Sequence, residues 1–590
     1  MKTNRRSWSI TRWMAAPGAL LFGVLSAWSS TRADDADLAK QAYNILKENC
    51  HVCHGDTVKV KGLYVVERDS LLANRGEDLN PYVTPGSAEK SVLWEAAVRD
   101  DRMPPDNPLP EEQQDILTRW IEAGAHFPSI VQEDRPFISQ REVIAQIADH
   151  LFNVSANDRR FQRYFSIAHL HNNRSVETND LRKYRAAFSK VVNSLSRESE
   201  IVVPKAIDEQ QTIFTIDLRD VGWDDLSIWD KVVGAYPYGL KPQRAEDGTE
   251  EYRRVEELYG QALFDGIAYM RADWFIVHAS RPPLYHDLLD IPETLDELLT
   301  DLGIDLKKNL ENNRARRGGV FESGVSRQNR LVEYHPSRGG FWISYDFKKN
   351  AGRSNLARFP LGPKASLPKF ENFAFEHAGG EIIFSLKNGL SGYMLVDNEG
   401  KRIDSGPIEI VSDADETSGT PEIVNGISCM NCHKQGTRPF HDDIRSSDAI
   451  FNTEARDKIE ALYAERPEMD RLLRQGGEDY LRQLEKAIGP FLQDGNKPFS
   501  VLADAEEPVK FVARRYDRNL DLETAARELG YADPSELAGQ LKSLSLAQLG
   551  LGPLRFDEGT VKRTFWDSRE SSVSVFQEAA RETGRGVPVN

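Results

Sequence analysis

Apolar positions change period several times along the chain, and each change marks a different kind of element. In "DADLAKQAYNILKENCHVCHG", Leu38, Ala42, Ile45 and Leu46 recur at helical spacing. "LPEEQQDILTRWIEAGAHF" places Ile116, Leu117, Trp120 and Ile121 on one helical face, with Gly124 as a stop signal. "PFISQREVIAQIADHLFNVSANDRRFQRYFSIAHL" reads as amphipathic helices. "ETNDLRKYRAAFSKVVNSLS" is clearer: Leu181, Tyr184, Phe188, Val191, Val192 and Leu195 share a face, and Thr178 or Asn179 is placed to cap its start. Period two takes over in "TIFTIDLRDVGW", where Phe214, Ile216 and Leu218 alternate. "GQALFDGIAYMRADWFIVHASRPPLYHDLL" predicts a helix and then an irregular, Pro-rich segment.

Alternation returns in "GGFWISYDF", with Phe341, Ile343, Tyr345 and Phe347 on one face. "EIIFSLKNGLSGYMLVDNEGK" predicts a hairpin continued by a second turn. Asn388-Gly389 fits a type I′ turn, so a two-residue loop sets Phe384 opposite Tyr393 and Ile383 opposite Met394. "TPEIVNGIS" then enters a motif at Cys429 with no helix expected ahead of it. From about residue 446 the pattern is helical. "LDLETAARELGYADPSELAGQLKSL" predicts two short helices around a turn, and "TVKRTFWDSRESSVSVFQEAARE" a further helix. The expected class is multidomain α+β: an all-α N-terminal domain over 34–128, a mixed α/β region over 129–300, a β-meander module over 301–445 and a helical region over 446–590.

The first 33 residues have their own pattern. Lys2, Arg5, Arg6 and Arg12 precede the apolar run "WMAAPGALLFGVLSAW", and "SSTRA" ends at Ala33. This is the layout of an export signal cleaved after Ala33. The run is short for a membrane span and contains Pro17 and Gly18; an uncleaved anchor is the alternative. Arg5-Arg6 hints at twin-arginine export, although the flanks fit it poorly. No other stretch approaches a spanning length, so the mature chain is expected to be periplasmic or otherwise exported, without an integral membrane span. The net charge of −17 over 590 residues argues against a nucleic-acid partner. It also argues against a DNA-binding reading of the helix pair, whose second helix carries one basic residue, Lys542.

The cysteines narrow the chemistry. All four lie in two CxxCH motifs, Cys50 to His54 and Cys429 to His433. An exported chain is free to build structural disulfides, yet none is left over for that. Two local CxxC bridges are one alternative, but such bridges are strained and reducible. A four-Cys zinc site is another, though its halves lie far apart in sequence. CxxCH is the attachment signature of c-type haem: two thiols add to the haem vinyl groups and the adjacent His reaches the iron. Two haems c are therefore expected, held by Cys50 and Cys53 and by Cys429 and Cys432, with His54 and His433 on the irons.

Downstream of the first motif, Arg102-Met103-Pro104-Pro105 supplies a thioether on a Pro-stiffened, non-helical loop. Met103 is the expected second axial ligand of the first haem, and His/Met ligation raises the potential. "NCHVCHG", "PGSAEKSVLWEAAV", "DDRMPP" and "LTRWIEAGA" together resemble the planctomycete-type cytochrome c domain over residues 40 to 127. That resemblance implies a small helical fold with haem linked to Cys50 and Cys53 and ligated by His54 and Met103.

The second motif lacks such a partner. Met430, inside it, cannot reach across the iron, and no Met-Pro-Pro follows. Its candidate sixth ligands are His335, His377 and Met394, or the position is vacant. His377 is followed by Ala378-Gly379-Gly380, where the backbone can approach a large cofactor closely. His169, His171, His278 and His286 are most simply packed or surface residues, any of which could lie over this haem. "RYFSIAHLHN", "SKVVNSLS", "IDLRDVGW", "FEHAGGEIIFSLKNGL" and "NGISCMNCH" resemble exported bacterial dihaem c-type cytochromes of unassigned reaction.

No phosphate loop or dinucleotide fingerprint occurs in the middle region. The reading is a dihaem cytochrome that transfers electrons between redox partners, a protein or a quinone-linked carrier. The alternative is a dihaem peroxidase- or oxygenase-type oxidoreductase with an open second haem, for which Glu376, His377 and Glu381 are the clustered acid–base candidates. A weaker alternative is a haem-based redox or gas sensor.

Overall fold

A computed structural model describes residues 37–47, 49–51, 54, 63–66, 68–72, 80–105, 108–127, 135–325, 328–492, 506–556, 559–570 and 572–589. Residues 1–33, read above as an export signal, and Cys53 lie outside the described residues. The chain divides into two compact units, Met1–Glu133 and Asp134–Asn590.

In the first unit, helix α1 (37–47) buries Leu38, Ala42, Ile45 and Leu46, the positions its periodicity selects. Helix α2 (Glu111–Glu122) buries Leu117, Trp120 and Ile121. These two stripes, with Leu93 and Ala97 from the segment between them, make one small core. Trp120 donates its indole N–H to the His126 carbonyl at 2.7 Å, which closes the domain after Gly124.

The second unit holds two larger sheets. The four-stranded sheet runs β2-β3-β1-β4, from β1 (Gln162–Ser166), β2 (Lys205–Ala206), β3 (Ile213–Asp217) and β4 (Met270–Arg271). The six-stranded sheet is an antiparallel meander in chain order: β5 (Arg316–Val320), β6 (Arg330–His335), β7 (Phe341–Asp346), β8 (Gly379–Ser385), β9 (Ser391–Asp397) and β10 (Arg402–Ile403). Helix α3 (Thr178–Ser194) packs against α4 (Ala272–Ala279), α6 (Arg466–Leu492) and α7 (Pro508–Tyr516). One hydrophobic core draws on Phe188, Phe275, Ile382, Cys429, Leu462, Val512 and Phe576, so the stretches 129–300, 301–445 and 446–590 all contribute to it.

Two local expectations change. The N-cap of α3 is Glu177, with no side-chain cap bond, and Thr178 and Asn179 lie inside the helix. The helix also buries its polar flank, because C-terminal segments cover it: Lys190 Nζ meets Glu507 Oε1 at 2.8 Å and Ser189 Oγ donates to the Ala487 carbonyl at 2.6 Å.

The hairpin register differs as well. Gly392 pairs with Phe384 and Tyr393 with Ile383, one residue away from the pairing a two-residue loop would set. The loop is Leu386 to Leu390. Gly389 has φ +85° but Asn388 is not in the left-handed region that type I′ requires. Asn388 is buried instead: its Nδ2 donates to the Asn193 carbonyl on α3 at 2.8 Å, and its Oδ1 accepts from Leu390 N at 3.0 Å. Tertiary capture of this one amide lengthens the loop.

Candidate haem sites

In the first unit α1 runs toward Cys50, whose N–H still bonds the Leu46 carbonyl at 3.0 Å, and the N–H of His54 bonds the Cys50 carbonyl at 2.9 Å. Both bonds join residues four apart, as in a helix. Met103 is fixed through its backbone, N–H to the Ala96 carbonyl at 3.0 Å, while its side chain is 37% exposed. An apolar thioether uncovered on a Pro-Pro loop, in the domain that carries a CxxCH, fits an absent group that would cover it. Covalent haem suits this donor set: thiols for attachment and an imidazole and a thioether for iron.

The second motif does not stand in an open loop. It forms helix α5 (Ile427–Cys432), entered through Gly426. Gly426 has φ +85°, and a Cβ there would lie 2.5 Å from the Ser280 carbonyl oxygen and 2.7 Å from Tyr285. Only glycine lets the motif enter at this point. The two intervening residues hold the helix in place. Met430 packs in the core, and Asn431 donates to Asp415 and Thr417, each at 3.0 Å. Cys429 and Cys432 are thiols and not a local disulfide. Burial pushes Cys432 up to about 12 and Cys429 well above the usual thiol range.

His433 follows at the end of α5 and is buried. Its Nδ1 lies 3.3 Å from the Gly436 carbonyl, its ring stacks on Tyr393 with centroids 6.0 Å apart, and its Nε2 lies 3.3 Å from Glu381 Oε1. An imidazole that donates from Nδ1 to a backbone carbonyl presents Nε2 for a metal. Burial raises the Glu381 carboxyl, but the His433 imidazole, with Arg330 behind it, outweighs that and holds it at about 2. Arg330 reaches Glu381 at 3.9 Å and Asp346 at 2.6 Å.

The sheet register explains which residues meet His433. Glu381 pairs with Leu395 and Ile383 with Tyr393, so Glu381, Ile383, Tyr393 and Leu395 share one face. His433 packs on that face. Met394 pairs with Ile382, Ile382 with Ile343 and Ile343 with Glu333, so Met394 and His335 belong to the opposite face. His335 is moreover fully buried, with Nε2 2.6 Å from Glu333 Oε1 and Nδ1 3.3 Å from Asn309. His377 sits edge-on to Tyr345 and Phe375, with centroids 5.1 and 6.2 Å away, and Tyr345 pairs with Leu331 on that same opposite face. None of the three candidate sixth ligands lies on the face that carries His433. Of the clustered acid–base candidates, Glu381 alone touches His433; Glu376 is exposed.

The same face of the meander bears a cavity of about 210 Å³. Trp342 and Ile383 lie on its sheet side, and Gly339, Gly340, Gly389 and Gly436 line it, the last being the residue whose carbonyl faces His433. Glycine walls let a flat ring approach the backbone closely. The thiols, the anchored imidazole and this surface fit an attached haem on one condition. Nε2 of His433 now faces Glu381, and it would be available to iron only if that carboxylate moved away.

Three further histidines are packed elsewhere or behind the motif. His171 bonds the Pro136 carbonyl at 3.0 Å, and His278 stacks on Trp274. His286 Nε2 bonds Asn425 at 2.7 Å, and Asn425 Oδ1 lies 3.9 Å from Cys429 Sγ, which brings His286 to the back of the motif. Sequence reasoning missed the roles of Gly436 and Tyr393, and no periodic signal marks either.

A cytochrome c domain is thus what the first unit defines: a helix leading into CxxCH, an exposed methionine on a loop and a closing helix. Residues 50–107 match the family of planctomycete cytochrome c, a span from the first cysteine to just past Met103. Such a domain holds haem c covalently. No curated protein and no solved structure matches the chain. Among the described residues no helix is long and apolar enough to cross a membrane.

Proposed function

We propose that the protein is an exported c-type cytochrome with two covalently attached haems, one in each unit, that passes electrons between redox partners, either a protein or a quinone-linked carrier. The observation that carries this reading is the second motif as folded: two unbridged thiols on one turn of helix beside a histidine whose Nδ1 faces a backbone carbonyl. Bound haem would supply a one-electron couple at each site. In the first unit Cys50 and Cys53 would hold it, with His54 and Met103 as iron ligands. In the second, Cys429 and Cys432 would hold it, with His433 as an iron ligand.

Glu381 supports a second reading, the peroxidase- or oxygenase-type oxidoreductase. No candidate His or Met shares the face of His433, while a partly buried carboxylate does. An open haem there would have Glu381 within reach as its acid–base residue.

Counting haem tests the reading. Denatured wild-type protein should retain two haems per chain by pyridine haemochrome, and the Cys429→Ala/Cys432→Ala variant one. A double variant that still carries two would remove the second motif as an attachment site.

A further inference from the structure

Away from both motifs, the second unit contains a cavity of about 220 Å³. It lies where the short helix Ala168–Asn172, the starts of α3 and α4, and the segment from α7 into helix α8 (Leu522–Glu528) converge. His169 forms part of its wall. Nε2 of His169 lies 3.0 Å from Asp273 Oδ2; the same oxygen accepts from Arg271 at 2.6 Å, and Arg271 Nε reaches Oδ1 at 3.2 Å. Arg271 is in turn bound by Glu528 at 2.6 Å, and Glu528 takes Arg563 at 2.7 Å and the Trp566 indole at 2.9 Å. Arg271 and His169 hold the buried Asp273 carboxyl well below the usual range. Beside a fixed carboxylate the imidazole donates from Nε2, which leaves Nδ1 a lone-pair acceptor. Nδ1 has no protein partner among the described residues.

The rest of the lining selects by charge. It holds four carboxylates and four guanidinium groups, so it is balanced while His169 is neutral. The carboxylates are also engaged: Asp180 with Arg515 at 3.2 Å, Asp273 and Glu528 as above, and Asp521 with the Thr524 N–H at 2.8 Å. Because the lining charges sum to zero, a charged ligand would gain no net attraction here and would lose its hydration. Asn173, Ser175, Asn519 and Thr524 add amide and hydroxyl groups to the wall. The volume lies below the roughly 300–1,000 Å³ of drug-sized sites.

We propose that this cavity binds a small uncharged polyhydroxylated molecule, one of whose hydroxyl groups donates to Nδ1 of His169, with Asp273 acting as the positioning residue for that imidazole. The site stands apart from the haem motifs and does not depend on how the second haem is ligated.

The test uses mature haem-loaded protein with glycerol, D-glucose and myo-inositol as neutral probes and gluconate and glucosamine as charged ones. Binding is read by isothermal titration calorimetry and saturation-transfer NMR. At least one neutral probe should bind, at least tenfold tighter than either charged probe. His169→Phe should abolish that binding. Thr524→Leu, which fills the cavity from a part-exposed helical position, should weaken it at least tenfold while leaving the far-UV circular dichroism unchanged. Failure of all three neutral probes, equal binding of the charged ones, or a Thr524→Leu variant within twofold of wild type would overturn the proposal.

Discussion

Glu381 Oε1 lies 3.3 Å from Nε2 of His433, and the two meet on a sheet face that also carries Tyr393 from the neighbouring strand. The His335, His377 and Met394 side chains belong to the other face of the sheet. A haem on His433 should therefore lack a strong sixth ligand, whereas Met103 would close the first. Reduced protein should bind carbon monoxide at one haem only, read as a shift of about half the Soret intensity. A spectrum unmoved by carbon monoxide would mean that both irons are closed and would remove the open-haem reading.

If the second haem reacts with peroxide, Glu381→Gln tests the acid–base role directly. The amide keeps the size of the side chain but cannot exchange a proton. Peroxide-dependent oxidation of a reduced dye should fall by about 10²-fold, the lower end of what a positioned acid–base group supplies. The haem count should stay at two.

Met103→Ala removes the exposed thioether of the first unit and nothing that packs its core. The midpoint potential of the first haem should fall, because a thioether ligand raises it, and this haem should become reactive to carbon monoxide. Potentiometric titration followed by visible absorbance checks the first outcome. An unchanged potential would show that another group takes the axial position.

The hairpin loop should be sensitive at two residues. Asn388→Ala leaves the buried Asn193 carbonyl and the Leu390 N–H without this partner, at a cost of about 1–3 kcal/mol for each group left unsatisfied. Gly389→Ala forces a side chain into φ +85° and sets a Cβ 2.8 Å from Gln483, costing about 1–2 kcal/mol for the left-handed backbone alone. Both should lower the urea midpoint of the second unit. Only the change at Asn388 should also shift the Soret band assigned to His433, because it loosens the register that places Tyr393 and Glu381.

Acid should destabilise the second unit through two further buried carboxylates. Glu333 is bound by Arg317 and His335, and Glu528 by Arg271 and Arg563; despite burial these partners bring each from 4.5 down to about 2. A depressed carboxylate contributes stability that is fully present above the unfolded value, near 4.5, and lost as pH falls toward 2. Thermal midpoints of the second unit should therefore drop across that window. Glu333→Gln should cost about 3–5 kcal/mol at neutral pH, because Arg317 is left buried without its counter-charge, and the acid dependence should become shallower.

Much of this could be read from local pattern. The spacing of thiols and imidazole in CxxCH is itself the attachment geometry, and Met103-Pro104-Pro105 marks an exposed ligand loop within the same small domain. Helix α3 and the strands of the meander follow from periods of 3.6 and two. Thr178 and Asn179 do not cap α3, because they are favourable caps only where the chain bends at them, and it bends earlier, at Glu177.

What surrounds His433 is a different matter. An Asn-Gly pair between two alternating strands predicts a two-residue turn, and that turn would have set Glu381 on the face of Met394, away from Tyr393. The amide of Asn388 instead reaches the Asn193 carbonyl on a helix distant in sequence, the loop lengthens, and β9 slips by one residue relative to β8. Because side chains alternate along a strand, a one-residue slip exchanges faces. The sequence by itself determined that two CxxCH motifs are present and that a Met-Pro-Pro follows only the first, since those facts are read from residue identity and order. Only the tertiary structure decided that the second histidine meets a carboxylate, because strand register depends on a contact that no local pattern encodes.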